Sequence, residues 1–283
     1  MTQQLSSHGG SHVRALKLTG VLLILAALVT VLGTPESAKA VARPQTKAVA
    51  VSAVHHSAAK LRDPRRNVVA SPNYIDFCAV HGPNSKPCMS RALDAINNAR
   101  AAEGVRPMVL PVNFTHMSIP RQTFVITNLE RVDRGLRPIA GLTKRLNSNA
   151  RHAAINNTDP TLISAVMGLL GVREYGSIWA GDFGPLASDF DWMYNDGYSP
   201  DGSINLDCKT PTSPGCWGHR HVILDTYSSM PTLMAGVGTT DAVGSSLAQI
   251  FVGSTKSAFS FVYTWKQALT YGAGGHKVTA AAA

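Results

Sequence analysis

The sequence predicts an α+β fold, with helices in the first half of one domain followed by a short, mostly antiparallel sheet. Between Met89 and Gly197 the apolar residues return at helical spacing. Beyond Thr232 they gather into short β-compatible runs bounded by turn-forming residues. Helices and strands segregated in this way argue against an alternating βαβ sheet. A third observation, an export-type leader ahead of four cysteines, puts the domain among those that disulfides stabilise.

The leader comes first. Arg14 and Lys17 precede the apolar run "LTGVLLILAALVTVLG", and "ESAKA" sets small residues at Ala38 and Ala40. A basic start, an apolar run of this length and an Ala-x-Ala site predict a signal peptide over 1–40, cleaved after Ala40. The run is short for a membrane span of roughly 20 residues. A retained signal-anchor is the alternative, and it is the one route to a membrane that the sequence offers. The expected location is therefore secreted and extracellular, or anchored through the N-terminal segment.

The net charge of +9 is unevenly spread. In residues 41–70, Arg43, Lys47, Lys60, Arg62, Arg65 and Arg66 face only Asp63, so this stretch reads as a basic, disordered spacer. Such a spacer can rest on anionic cell-surface polymers by charge alone. From Ser71 onward acids and bases nearly cancel, and a near-neutral domain without a recognition motif gives nucleic-acid binding no support. The domain is expected over 71–275, with a small-residue tail over 276–283. A domain of this size buries roughly 70% of its unfolded surface, so it requires no cofactor to fold.

Within the domain, "MSRALDAINNARAAEG" predicts a helix starting after Cys88, capped by Ser90 and stopped by Gly104. "SIPRQTFVITNLERVDRG" predicts a second, with Ser118 as cap, Pro120 near its start and Phe124, Val125, Leu129 and Val132 as its apolar stripe. "LTKRLNSNARHAAINNTDP" predicts a third and "PLASDFDWMYNDG" a short fourth. "TLMAGVGTT", "LAQIFVGST" and "FSFVYTWKQAL" are the candidate strands. The close spacing of Cys78 with Cys88, and of Cys208 with Cys216, favours two local disulfides. Zinc motifs set cysteines two to four residues apart, and neither pair does.

Familiar catalytic patterns are missing. There is no G-x-S-x-G elbow, no H-E-x-x-H and no Gly-rich phosphate loop ahead of a helix. What remains is "GCWGHRHVIL", where His219 stands as a metal ligand, a proton-transfer base, or an anchor for the turn leaving the Cys208–Cys216 loop. His221 completes a His-x-His pair that on a strand would face one way, with Asp225 the nearest acid. Asn113 and Asn156 head glycosylation sequons, which matter only in a eukaryotic secretory route.

Four segments in order resemble the CAP superfamily (cysteine-rich secretory, antigen 5 and pathogenesis-related-1 proteins, or SCP-like), in a bacterial extracellular style. They are "TNLERVDRGLRPIAGLTKRLNSNARHAA", "GSIWAG", "DWMYNDGY" and "GCWGHRHVIL", with "MAGVG" and "QIFVG" falling where the family places its sheet. The resemblance implies an exported α-β-α sandwich with a cleft of two histidines and two glutamates that can hold a divalent metal. Carried over, the last histidine falls on His219. The second glutamate falls on Asp196 in the register set by Tyr194, or on Asn195 in that set by Trp192. The first glutamate falls on Gly176 or Ser177, with Glu174 nearby but out of register. The first histidine has no counterpart, His152 lying too early in its helix. Two ligands of four imply weak divalent-metal binding at best.

The resemblance leads to an expected non-enzymatic binding module for a lipid, a cell-wall polymer or a protein. In it, His219 is expected to hydrogen-bond Asp196 or backbone there, and a carboxylate partner would raise its pKa and fix its tautomer. The alternative is a metal- or His-dependent extracellular hydrolase using His219 as base with Asp196 orienting it.

Overall fold

The structure, a computed structural model, describes residues 61–279 apart from 182–183, 201–203, 228–229 and 243. The expected signal peptide or signal-anchor, most of the spacer and the end of the tail lie outside the described residues. The described chain is an α+β fold. Helices α1 (Ile75–His81), α2 (Lys86–Ala102) and α3 (Ile119–Val132) lead to strand β1 (Gly141–Leu142) and helices α4 (Lys144–Ile155) and α5 (Ser164–Leu170). Strand β2 (Val172–Ala180), helices α6 (Pro185–Tyr194) and α7 (Gly218–Leu224), and strands β3 (Thr232–Thr239) and β4 (Leu247–Ser254) follow. Strand β5 (Tyr263–Thr264) and α8 (Trp265–Thr270) close the order.

The sheet runs β2-β4-β3-β1-β5 and is antiparallel except where β1 meets β3. Side chains alternate between its two faces, as the pleat requires. Leu233, Ala235 and Val237 of β3 enter the larger core with α2, α3, α6 and α7, while Met234 enters a second core with Leu146 and Ala150 of α4 and Leu170 of α5. The sheet therefore lies between two helical layers. Helix α4 sits on β3 so closely that a Cβ on Gly236 would come within 2.1 Å of the Leu146 backbone, and one on Gly238 within 2.0 Å of the Arg151 backbone. Only glycine fits at either position.

Several expected boundaries move for local reasons. Helix α2 starts before Cys88, because the hydroxyl of Ser85, not Ser90, accepts the Cys88 N–H. Ser118 stands at the N-cap of α3, but its side chain makes no cap bond. The stretch "FSFVYTWKQAL" gives only the two-residue β5 before turning helical. Thr264 accepts the Gln267 N–H and Gln267 accepts the Thr264 N–H, a capping box that overrides the β-prone composition. Helices α1, α5 and α7, the short strand β1 and the edge strand β2 were not foreseen. Contacts with the body begin inside the expected spacer: Arg62 O accepts from Arg220, Asn67 Oδ1 from the Gly197 N–H, and the Val68 N–H donates to Tyr194 O. Both local disulfides are present, Cys78–Cys88 and Cys208–Cys216, with Cα atoms 5.0 and 4.5 Å apart.

Candidate functional site

Asp196 lies just past the end of α6, and His219 in the first turn of α7. In the chain between them the Cys208–Cys216 disulfide closes a local loop. The Trp217 N–H donates to Asp196 O at 2.8 Å. Asn205 ties the loop to the same point, its Nδ2 donating to Asp196 O at 2.9 Å, Asp196 Oδ1 at 2.6 Å and Gly215 O at 2.8 Å. Trp217, held at φ 60°, caps α7 through its backbone. Its ring covers Gly197 so closely that a Cβ there would lie 2.3 Å from it.

This framework aims both carboxylate oxygens of Asp196 at the start of α7. Oδ2 accepts the His219 N–H at 2.8 Å, and Oδ1 contacts His219 Nδ1 at 2.6 Å. A carboxylate at a helix N-terminus also meets the positive end of the helix dipole. Asp196 is buried, whereas the His219 side chain keeps 21% of its exposure. A carboxylate on Nδ1 fixes the tautomer that carries a proton there and turns Nε2 away from Asp196. Burial disfavours the imidazolium, but the charge and hydrogen bond of Asp196, with Asp159 and Asp207 adding to them, outweigh it and raise the pKa above its ordinary value.

The other expected site residues do not join this pair. Because α7 is a helix, His219 and His221 diverge: His221 Nε2 contacts both oxygens of Asp63, each at 2.9 Å. Ser177 shares its β2 face with Tyr175 and Trp179 of the second core, whereas Gly176 faces Val222 and Tyr227 of the first. Ser177 is therefore turned to the face opposite α7 and is not a cleft residue. Glu174 pairs with Gly253 across the sheet and influences Tyr227 rather than His219. Asn195, the alternative register, ends α6 with its amide on Asp191. Trp192 is buried, donating to Trp179 O at 3.2 Å. His152 is exposed on α4 beside Asn156, in the other helical layer. A groove of about 430 Å³ is lined by Met117, Ser118 and Asp241 among others, not by His219 or Asp196.

The donors implied by the resemblance do not assemble into a metal site. The facing atoms of Asp196 and His219 are spent on each other, and among the described residues no group of three or more His, Cys, Asp or Glu is placed to hold an ion. Asn205 and Asp207 were missed because only the folded loop brings them to the site, and Asp159 because it acts from the distant connection between α4 and α5.

Behind the site lies a second cluster, also unforeseen. Glu130 of α3 is buried against Arg100 of α2, at 2.7 Å, and against Arg134. The Tyr194 hydroxyl donates to Glu130 Oε1 at 3.0 Å. Burial alone would raise the Glu130 pKa, but the two guanidiniums hold it down at about 2. Burial, and then the charge of Glu130, push Asp189 well above the usual carboxylate range. Arg220, next to His219, reaches Glu103 at 3.0 Å and Met193 O at 2.7 Å, joining α7 to α2 and α6.

Comparisons with protein-family models, with curated proteins and with solved structures return no match.

Proposed function

We propose that the chain is an exported, CAP-like binding module without enzymatic activity, whose ligand meets the exposed edge of His219. One observation carries this reading: Asp196 fixes a half-open imidazole while the sulfurs that might have served as nucleophiles are closed in disulfides. The raised pKa favours the protonated ring, which donates hydrogen bonds, over the neutral imidazole that metal ligation needs. With Asp159 and Asp207 also nearby, the matching ligand is a neutral or cationic group that offers an acceptor oxygen, such as a cell-wall glycan or peptide carbonyl. The disulfides support an extracellular setting.

The test is retention of the full chain on insoluble cell-wall polymer, for the wild type and for His219→Ala. Retention lost in the variant supports the module, and equal retention contradicts it. The hydrolase reading rests on the same Asp196–His219 contact, which is how a general base is oriented. Release of soluble glycan or peptide by the wild type, absent in His219→Ala, would establish that reading instead.

A further inference from the structure

On the sheet face opposite His219, the stretch from Thr161 to Val172 contains no charged residue, yet much of it faces outward. Ile163 is 68% and Leu169 53% exposed, and Ala165 is exposed between them, whereas Leu162 and Leu170 hold the segment down in the second core. Helix α5 and its N-terminal flank thus present apolar side chains in both directions, where a helix made only to close a core would turn polar residues outward.

The exposed charges on its flanking segments are basic. Arg173 is the extra residue at the register shift of β2, immediately beyond α5, and it is exposed. Lys256 is exposed too, with its Nζ on Leu169 O at 2.6 Å. In the adjoining helix α4, Lys144, Arg145 and Arg151 are exposed, and between them and Arg173 the one acid is the half-buried Asp159. Asn149 Nδ2 donates to Thr161 O at 2.8 Å and holds α4 beside the start of this segment.

We infer that α5 and its basic surround form a docking surface for an anionic lipid bilayer, separate from the His219 site. Apolar side chains enter the acyl boundary while lysine and arginine meet the headgroups, the division of labour of an interfacial helix. A second copy is the poorer occupant, because a twofold contact over α5 would press these basic residues against their own equivalents. Each basic side chain near an anionic leaflet is worth about 1 kcal/mol.

The test is hydrogen–deuterium exchange over residues 161–171 in the full chain. That readout is local, so any membrane attachment through the N-terminal leader does not enter it. Vesicles of equal phosphatidylglycerol and phosphatidylcholine are compared with vesicles of phosphatidylcholine alone. Slowed exchange with the anionic vesicles only is expected. The double variant Arg173→Gln/Lys256→Gln, which leaves both cores intact, should need roughly 30-fold more anionic lipid for the same slowing. Exchange unaffected by either vesicle overturns the proposal. So does slowing that follows protein concentration without vesicles, which would assign the surface to a second copy, or equal slowing by the two vesicle types. The outcome is independent of the His219 reading, since no residue of that site is changed.

Discussion

Glu130 and Asp196 are both buried carboxylates bonded to basic partners, and the difference between them separates scaffold from site. Glu130 meets Arg100 and Arg134, and all three side chains are fully buried. Asp196 meets a backbone N–H, an amide and an imidazole, and the imidazole still reaches solvent. With all three members buried, this ionic cluster holds helices together. A carboxylate that fixes one half-open ring can also prepare that ring for a ligand. Arg220 connects the two regions, so the closed cluster sets where the open pair stands.

The strongest way to break the comparison is Glu130→Gln. Removing one partner of a buried ion pair leaves uncompensated guanidiniums, and a loss of about 3–5 kcal/mol is expected in urea unfolding. A loss below about 1 kcal/mol would mean that Glu130 is no scaffold. Next is the double variant Cys208→Ser/Cys216→Ser, expected to lose roughly 2–3 kcal/mol from the loop-closure effect. It should also weaken the Asp196–His219 contact, seen as a His219 pKa moving back toward its ordinary value.

The two regions should also separate by pH. The Glu130 pKa is lowered by folding, so its contribution is present above the ordinary carboxylate value and is lost as pH falls toward about 2. That of His219 is raised, so its contribution is complete below about 6.5 and is lost as pH rises through the folded value. Unfolding measured from acid to mildly alkaline pH should show both slopes, with Asp196→Asn removing only the second. The smallest effect is expected for Asp189→Asn. Burial and the neighbouring Glu130 raise the Asp189 pKa and so favour its neutral form, and a neutral side chain of the same shape should change stability by less than about 1 kcal/mol. A larger loss would show that Asp189 carries charge.

The parts of this arrangement that sequence reveals are those encoded locally. Helix α4 follows from its helical spacing, strands β3 and β4 from short apolar runs bounded by turn residues, and both disulfides from close cysteine spacing. The meeting of Asp196 with His219 was expected from motif order. Strand β2 escaped because it is an edge: Arg173 to Ser177 are exposed or half-buried, so the alternation of a one-sided strand is blurred. Glu130 near the end of α3 and Arg134 just past it, four apart in sequence, read like an exposed helical ion pair. Only the packing of Tyr194 and Arg100 over them, from distant parts of the chain, makes them interior. Asn205 escaped for a similar reason, since its role depends on a loop whose path the spacing of Cys208 and Cys216 does not specify.

The most direct measurement is NMR titration of the His219 ring in the wild type and in Asp196→Asn. The account predicts a pKa above the ordinary histidine value in the wild type, with the proton on Nδ1 in the neutral form, and a fall once the carboxylate is replaced. An unshifted wild-type pKa, or one indifferent to Asp196→Asn, would contradict it.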